Sequence, residues 1–413
     1  MNQLLFIAFL SAIIFIGNTD NIENRNSDYR LLSGYDTIKG VISTNLIYKT
    51  TAFNAGDDGI NSYRIPSLVT SKKGSLLLFC EARKISSTDK TPTDIAFKRS
   101  TDNGKTWSEI KIIAEAGNNA FMDPCALVDK VSGKIFLFTT LWPAGDHSTL
   151  SNTAWIVTSE DDGLTWSKPY NITKEIVAPG NYIAGFGPGS GLQMTGTKYE
   201  NRLIIPTRQT DGKKSKDRAV YSDDHGKTWQ VGAPAPDGGE YQIAESPKNT
   251  LIYNLRGPKG KRIVARSHDG GLSWGDSHID FQLQSPVDYG GCQASVLGID
   301  SLLYYAGPAG GLGSDSTEDR QFFKIYRSWN GGEKCTNNYL LFNKAAGYSC
   351  ITQLSDRGLA IVFETSDNNG FLKMTPGNRP PGWMRLDVIV LPKEVTWRGY
   401  WFQEKIGSEL HER

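Results

Sequence analysis

One arginine lies in a sequence that would fix its direction. Arg64 belongs to the segment Asn61-Ser-Tyr-Arg-Ile-Pro-Ser67, where Pro66 restricts its own φ and pushes Ile65 toward β geometry. An arginine guanidinium is planar and always charged, and it can donate two parallel hydrogen bonds to a carboxylate. Arg64 is therefore a candidate for recognising an anionic group, although a lone arginine before Ile-Pro is more often a surface residue.

Composition limits how such an anion could be bound. The chain has 45 Lys and Arg against 44 Asp and Glu, a formal net charge of +1, which gives no electrostatic case for nucleic acid as a partner. An anion site must therefore be a local cluster of basic residues. The cysteines show no metal-ligand spacing and their odd number cannot pair completely within one chain, so buried thiols are expected, with one or two disulfides left open. They are Cys80, Cys125, Cys292, Cys335 and Cys350.

A turn motif that recurs along the chain indicates the scaffold. Ser100-Thr-Asp-Asn-Gly-Lys-Thr-Trp107 returns at residues 159–166, 222–229 and 267–274, and a degraded copy covers 328–335. The copies begin 59, 63, 45 and 61 residues apart. The third residue can accept hydrogen bonds from backbone N–H groups of a tight loop, and the glycine two positions later can adopt φ > 0. One copy alone would indicate only a generic hairpin turn. The predicted structural aspartates are Asp102, Asp161, Asp224 and Asp269.

Strand-like sequence precedes the copies, for example at residues 94–100 and 154–158. The closing tryptophan of each copy supplies an apolar surface that can pack between neighbouring units. Repeated strand–turn–strand units favour a radial array of β-sheets, in which no unit buries its faces alone. At 413 residues the chain exceeds one ordinary core, but a propeller accommodates this length. We predict one domain over residues 44–413.

The N-terminal sequence predicts export. Residues 4–16 form an uncharged apolar run of 13 residues, which is shorter than the roughly 20 residues of a spanning helix and suits the core of a signal peptide. We predict a signal peptide over residues 1–19 and a polar lead-in over 20–43. Because no Lys or Arg precedes the run, an uncleaved anchor remains the alternative. The expected location is secreted, cell-surface or periplasmic.

The combination of Tyr63-Arg-Ile-Pro66 with several Ser-x-Asp-x-Gly-x-Thr-Trp turns resembles the sialidases of the exo-α-sialidase (neuraminidase) superfamily. The resemblance extends from about Ile47 to Trp401. It implies an all-β fold, a six-bladed β-propeller of four-stranded antiparallel sheets with Asp-box turns. It also implies sialylated glycans as substrates, with no metal, no other cofactor, no nucleic acid and no stable membrane span. Oligomeric state stays open.

Three arginines from three different blades bind the sialic acid carboxylate in this family. By resemblance, Arg64 matches the first, Arg256 the second, and Arg320, at the head of a strand-like segment, the third. Arg327 is the alternative to Arg320, but it is expected on a blade surface. Glu364 resembles the carboxylate that holds the first arginine in place.

The resemblance also implies a pocket for the rest of the sugar. Arg83 resembles an additional arginine that faces the ring hydroxyls. Asp123 would accept a hydrogen bond from the 4-hydroxyl and position Arg83, with a simple Asp-Pro turn as the alternative. Trp142 is a candidate wall for the N-acyl group, with packing between blades as an equal alternative.

The acid and base are also assigned by resemblance. Asp89 lies six residues after Arg83 in the polar loop 85–92, where the family places its general acid on a mobile loop. Asp94 is the alternative, but we interpret it as part of a strand start. Glu240 lies sixteen residues before the second arginine and is preferred as the base over Glu245.

Tyr348 lies 28 residues after Arg320, where the family has a nucleophilic tyrosine. A carboxylate nucleophile would be repelled by the carboxylate on the anomeric carbon, whereas a neutral phenol avoids this repulsion. A phenol is a weak nucleophile at its free pKa, so it needs a base, and Glu240 would serve. Sialidases are known exceptions to the rule of two catalytic carboxylates.

The resemblance therefore implies a glycoside hydrolase, an exo-α-sialidase that removes terminal sialic acids from glycoproteins, glycolipids or oligosaccharides with retention. A trans-sialidase, including an intramolecular one, is the nearest alternative. Relatives that transfer efficiently have an aromatic residue just before the third arginine, and residues 311–319 contain none. A non-catalytic sialic-acid-binding propeller is the further alternative.

Overall fold

The computed structural model describes residues 47–146, 148–257, 260–280, 282–311, 319–367 and 385–393. The predicted signal peptide, the lead-in and the last residues of the predicted domain lie outside this part of the chain. Loops and turns connect the strands, and the regular secondary structure of the described residues is almost entirely β-strand. The exceptions are one short helix, α1 (Thr173–Ile176), and four 3-10 turns, Asp57–Gly59, Thr149–Ser151, Thr197–Tyr199 and Asp288–Gly290.

The described strands form four hydrogen-bonded sheets of seven, five, nine and four strands. Antiparallel pairing divides these sheets into six units of four strands that follow one another in chain order, with β23 shared between two units. The first unit contains β2 (Ser62–Thr70), β3 (Leu76–Arg83), β4 (Thr93–Ser100) and β5 (Lys111–Ala114). The second contains β6 (Ala120–Val128), β7 (Ile135–Trp142), β8 (Thr153–Ser159) and β9 (Tyr170–Asn171). The third contains β10 (Tyr182–Phe186), β13 (Leu203–Thr210), β14 (Arg218–Ser222) and β15 (Gln230–Pro234).

The remaining units are built in the same way. The fourth contains β16 (Tyr241–Glu245), β17 (Leu251–Arg256), β18 (Arg262–Ser267) and β19 (His278–Asp280). The fifth contains β20 (Ser295–Ile299), β21 (Leu302–Pro308), β22 (Gln321–Ser328) and the first part of β23 (Cys335–Gln353). The sixth contains the rest of β23, β24 (Leu359–Thr365), β25 (Arg385–Leu391) and β1 (Tyr48–Asn54). Two short strands, β11 (Gly189–Ser190) and β12 (Leu192–Gln193), pair with β6 and β13.

The sixth unit closes the array because its outer strand comes from the start of the described chain. Strand β1 pairs with β25, so segments more than 300 residues apart form one sheet. The innermost strands also contact one another, for example where Ala126 N–H of β6 donates to Ser67 Oγ of β2 at 2.9 Å. The all-β propeller prediction is confirmed.

The four turn motifs have the predicted hydrogen bonds. Asp102 accepts from the backbone N–H of Thr106 at 2.9 Å and from its hydroxyl at 2.6 Å. Ser100 Oγ accepts from the N–H of Gly104 at 2.8 Å. Asp161, Asp224 and Asp269 accept equivalent bonds from Thr165, Thr228 and Ser273. In the degraded fifth copy, Asn330 replaces the aspartate and accepts from the N–H of Lys334 at 3.0 Å.

The motif tryptophans join neighbouring units, as predicted. Trp166 of the second unit meets Phe79 and Phe97 of the first edge-on, with ring centroids 5.4 and 5.1 Å apart. The turn needs glycine here because Gly163 has φ 82° and a Cβ would lie 2.9 Å from Phe97. Edge-on aromatic pairs add about 0.5–1.5 kcal/mol beyond area burial. The units are therefore held together by a contact that the repeat itself provides.

Strand direction decides where side chains from different units can meet. In each unit the first strand begins at the face where the second strand ends and the third begins, because neighbouring strands are antiparallel. The turn motifs follow the third strand and so lie on the opposite face. Side chains from different units can therefore converge at the face where the first strands begin.

Candidate active site

Nearly all the predicted site residues lie at this face. Arg64, Asp123 and Tyr348 occupy the beginnings of inner strands, and Glu240 directly precedes β16. A second set comes from the ends of second strands, Arg83, Arg256 and Glu364, while Arg320 directly precedes a third strand, β22. The antiparallel order of each unit thus brings together residues from five of the six units.

Glu364 ties the first arginine to the candidate nucleophile. Its two carboxylate oxygens accept from Arg64 Nε at 3.1 Å and Nη2 at 3.2 Å. The same carboxylate accepts from the backbone N–H of Tyr348 at 3.3 Å. Burial would raise the pKa of Glu364, but the charge and hydrogen bonds of Arg64, the Ile65 N–H and the charge of Arg83 together lower this pKa. The group is therefore a buried carboxylate that fixes two neighbours at once.

The expectation of β geometry at Ile65 is wrong. Ile65 has φ 56°, in the left-handed region that a β-branched residue rarely adopts. The pairing of β2 with β3 shifts between Arg64 and Ser67, as at a β-bulge. Two contacts hold this conformation: the Ile65 N–H donates to Glu364 Oε1 at 2.9 Å, and its side chain packs beside Tyr348. Tertiary contacts thus override the local preference that Pro66 imposes.

Tyr348, Glu240 and Arg256 form one hydrogen-bonded group. The Tyr348 hydroxyl donates to Glu240 Oε1 at 2.5 Å, and Arg256 Nη1 donates to the other carboxylate oxygen of Glu240 at 2.7 Å. The same Nη1 lies 3.0 Å from the phenolic oxygen and donates to it. The tyrosine therefore has an acceptor for its proton and a cation beside its oxygen.

The charges of this group are set by burial and pairing. Burial raises the pKa of Tyr348 well above its usual value, with the Glu240 charge adding to the rise. Burial would also raise the pKa of Glu240, but Arg256 and then Arg208 lower it. A neutral phenol consequently faces an ionised carboxylate, the arrangement needed for proton transfer from oxygen to oxygen.

The other two arginines of the predicted clamp lie against the same ring. The guanidinium carbon of Arg64 is 5.8 Å from the Tyr348 ring centroid, and that of Arg320 is 5.7 Å. Arg320 donates through Nη2 to the Gly291 carbonyl at 3.1 Å, and its own carbonyl accepts from Ala346 N–H at 3.0 Å. Three guanidinium groups therefore surround the phenol.

The prediction that Arg327 lies on a blade surface is wrong. Arg327 is 1% exposed, and its guanidinium carbon lies 4.1 Å from the ring centroid of Trp329. It belongs to the end of β22, at the face opposite the site. Strand β22 begins at one face and ends at the other, so Arg320 lies at the face of the candidate site and Arg327 does not.

Arg83 connects the candidate acid to a buried glutamate. It donates to Glu81 Oε2 through Nε at 2.8 Å and Nη2 at 2.6 Å, and it lies 2.8 Å from Asp89 Oδ1 through Nη1. Asp89 also lies 3.9 Å from Arg64, and its side chain is 68% exposed. Chiefly because of Arg83, the pKa of Asp89 is lowered to about 2. The free protein therefore holds this carboxyl group ionised at neutral pH.

The prediction that Asp123 positions Arg83 is wrong, because the Asp123 carboxylate pairs with Arg208 of the third unit. Its backbone N–H donates to Glu81 Oε1 at 2.8 Å, so Glu81 lies between Asp123 and Arg83. Burial raises the pKa of Asp123, while the Arg208 charge opposes this rise. The residue before Pro124 is again left-handed, with φ 57° at a bulge in the pairing of β6 with β7.

Arg208 and Glu81 were missed by sequence reasoning. Arg208 also donates to the Phe186 carbonyl at 3.0 Å. It lies so close to Gly185 that a Cβ there would be 1.9 Å from Nη2. The alternation of a strand could have found Glu81, because Glu81 and Arg83 are two residues apart and share a face. No comparable signal marked Arg208, whose partner Asp123 is 85 residues away.

Trp142 is buried at the border of the site. It is 8% exposed and packs with Ala120 and Met122 of its own unit. The ammonium of Lys90, from the loop that carries Asp89, lies 4.1 Å from its ring centroid. Trp142 therefore packs within its own unit and contacts Lys90 of the first unit, and its assignment as a wall for the N-acyl group stays a prediction.

Asp94 and Glu245, the alternatives to Asp89 and Glu240, both have structural partners. Asp94 accepts from the N–H of Ala116 at 2.7 Å and pairs with Lys84 at 2.7 Å. Glu245 accepts from the backbone N–H groups of Thr195 at 2.7 Å and Asn249 at 2.8 Å, at the opposite end of the inner strands. A cavity of about 250 Å³ opens at that end, and the candidate site residues do not line it.

Other features of the described residues are as follows. The five cysteines are free thiols. Within the described ranges, no three or more His, Cys, Asp or Glu side chains are grouped so that they could hold a metal ion. In the same part of the chain, no helix has the length and apolar character of a membrane span.

Comparisons with known proteins indicate the family of the chain. The family model for the BNR repeat-like domain matches residues 72–361. A sialidase of Bacteroides fragilis is 30% identical over 81% of this chain, and one of Micromonospora viridifaciens is 29% identical over 75%. The matches span 66% and 50% of those relatives, less than two thirds of their length. Among solved structures, the Hadza microbial sialidase Hz136 is 26% identical with a TM-score of 0.70, over 84% of this chain and 69% of that one.

Proposed function

The chain belongs to the sialidase superfamily, and we propose that it is an exo-α-sialidase that hydrolyses terminal sialic acids with retention of configuration. The observation that carries this proposal is the group of Tyr348, Glu240 and Arg256, in which a phenol donates to a partly buried carboxylate at 2.5 Å. Arg64 and Arg320 border the same ring. A phenol, a base and a cluster of arginines suit a substrate whose reacting carbon bears a carboxylate.

Substrate binding begins with the carboxylate. Arg64, Arg256 and Arg320 would donate to it, with the fork of each guanidinium matching the planar acceptor. Glu364 and Glu240 hold two of these arginines, so little side-chain entropy remains to be lost on binding. Asp123, Arg83 and Arg208 would face the hydroxyl-bearing part of the sugar.

In the first step the Tyr348 oxygen forms a bond to the anomeric carbon as its proton passes to Glu240. The bond from that carbon to the aglycone oxygen breaks, and Asp89 supplies the proton that this oxygen takes up. The arginine beside the phenolic oxygen stabilises the negative charge that develops there. The products of this step are a sialyl-tyrosine and the released alcohol.

In the second step a water molecule attacks the anomeric carbon on the face that the aglycone left. Asp89, now ionised, accepts the water proton, and Glu240 returns its proton to the departing phenol. Two inversions at the same carbon give net retention. Tyr348, Glu240 and Asp89 then hold the same protons as at the start of the first step.

The acid step requires that substrate binding raise the pKa of Asp89. In the free protein Arg83 and Arg64 lower this pKa. A bound substrate carboxylate would compensate the charge of Arg64 and exclude water from the loop, and both effects favour a neutral carboxyl group. The exposed position of Asp89 makes it accessible to a large range of leaving groups.

The proposal is tested with a fluorogenic aryl α-sialoside and with 3′-sialyllactose. Release of free α-sialic acid, seen by NMR before mutarotation, supports a retaining hydrolase. Release of the β-anomer first, or no turnover of either substrate, would contradict it. Transfer to added lactose, or formation of an anhydro sugar, would indicate a trans-sialidase instead.

We also propose that the protein is exported, on the strength of the apolar run at residues 4–16 alone. N-terminal sequencing of the protein secreted from its natural source should start near residue 20. An N-terminus that retains residues 1–19 in a membrane fraction would indicate an uncleaved anchor.

A further inference from the structure

Lys90, in the loop that carries Asp89, contacts the neighbouring unit. Lys90 follows Asp89 directly and has φ 62°, so the chain turns sharply after the candidate acid. The turn places the Lys90 ammonium over the indole of Trp142, with Nζ 4.1 Å from the ring centroid. Trp142 ends β7 and is buried. A loop of the first unit thereby contacts a buried side chain of the second.

The contacts of Asp89 itself depend on its charge. Its carboxylate lies 2.8 Å from Arg83 and 3.9 Å from Arg64. Both contacts weaken when the carboxyl group is protonated, which is the state in which a general acid must act. Arg64 is moreover required for the substrate carboxylate. The contact between Lys90 and Trp142 does not depend on either event, because neither residue gives up or accepts the proton.

We propose that the contact between Lys90 and Trp142 is a latch that positions Asp89 to protonate the leaving group. This inference rests on the proposed function. Lys90 is a positioning residue, since it contacts the indole and acts through the adjacent Asp89. Positioning is important for such a group because a displacement of about 1 Å can cost on the order of a hundredfold in rate.

Leaving groups of different acidity distinguish a positioning role from a general loss of structure. An aryl alcohol such as 4-methylumbelliferone leaves as a stable anion and needs little acid assistance, whereas the galactose hydroxyl of 3′-sialyllactose needs a proton. In Lys90→Met we expect kcat/KM for sialyllactose to fall about tenfold, the scale of a desolvated cation–π contact. The aryl sialoside should change less than about twofold.

Two variants serve as controls. Lys90→Arg keeps a cation that stacks on indole and should restore most of the activity toward sialyllactose. Lys84→Met removes a lysine charge at the start of the same loop, but Lys84 pairs with Asp94 and donates to the Gly117 carbonyl. Any loss in kcat/KM of Lys84→Met should not depend on the leaving group, so the ratio of its two kcat/KM values should equal that of the wild type.

A double-mutant cycle tests the contact itself. Trp142→Leu removes the ring, and adding Lys90→Met should cause no further loss on sialyllactose if the two residues act together. Independent, multiplicative losses would overturn the latch. Equal losses on both substrates in Lys90→Met, or no loss, would also overturn the latch. An active wild type would leave the proposed function intact in that case. A wild type that cleaves neither substrate would overturn both.

Discussion

The two sides of the candidate site are built in different ways. On the nucleophile side, Tyr348, Glu240 and Arg256 lie on or beside strands and are joined by hydrogen bonds of 2.5–3.0 Å. On the acid side, Asp89 lies in a loop, is 68% exposed, and is held by ionic contacts. The first side is fixed by the sheets and the second by a few side chains.

The difference corresponds to what each side must do. A phenol attacks one carbon in one geometry, so its base and its neighbouring cation benefit from preorganisation in a site with little water. The acid must reach leaving groups of different glycans and exchange its proton with solvent between turnovers. Burial consequently raises the pKa of Tyr348, whereas Arg83 lowers the pKa of the exposed Asp89.

The largest effect should come from removing the nucleophile. In Tyr348→Phe the ring remains but the oxygen that attacks is lost, so turnover of an aryl sialoside should fall by on the order of 10³-fold or more. Circular dichroism and thermal unfolding should show a folded protein. Full activity in a folded Tyr348→Phe would contradict the account of this side of the site.

Removing the candidate acid should lower kcat/KM by an amount that depends on the leaving group. In Asp89→Ala, kcat/KM for 3′-sialyllactose should fall about 10²–10⁴-fold, the usual range for general acid catalysis. The aryl sialoside should be affected much less, because its leaving group needs little protonation. Parallel kinetics with both substrates measure the ratio, and equal losses would remove Asp89 from the acid role.

Breaking the ion pair behind the nucleophile should lower stability. Glu364→Gln leaves Arg64 buried without its carboxylate, at a cost of about 3–5 kcal/mol in unfolding free energy. The pKa of Glu364 is lowered in the folded state, so its stabilisation is present above its unfolded value of about 4.3 and is lost as pH falls through the folded pKa.

Thermal unfolding of wild type and Glu364→Gln between pH 7 and pH 3 tests this sign. The difference in Tm should be constant near neutrality and should narrow below about pH 4.3. A difference that widens toward acid pH would contradict the assignment of Glu364 as an ionised partner.

A smaller effect should come from the clamp. Arg320→Lys keeps the charge but loses the planar fork, which should weaken carboxylate binding by about 1.5–3 kcal/mol. Kinetics with the aryl sialoside should show this as a loss in kcat/KM. If KM and kcat are both unchanged, another residue binds the carboxylate at that position.

The scaffold could be predicted from the sequence because its signal is local. Each turn motif contains its own hydrogen-bond partners within eight residues, as Asp102 and Thr106 show. The site residues were found by resemblance, and the structure brings Arg64, Arg256, Arg320 and Tyr348 together. The conformation of Ile65 could not be predicted, because it depends on Glu364, 299 residues away. Arg208 was missed for the same reason, since only folding brings it to Asp123.

The most direct test is to trap the reaction at its first product. In 2,3-difluorosialic acid the fluorine on the anomeric carbon is the leaving group, and the second fluorine slows the second step. The sugar should therefore stay covalently attached to the protein. Mass spectrometry of the digested protein should then find the label on Tyr348, and Tyr348→Phe should carry none. A label on Glu240, Asp89 or another carboxylate would contradict the central claim that a phenol, hydrogen-bonded to its base and surrounded by three arginines, forms the bond to the sugar.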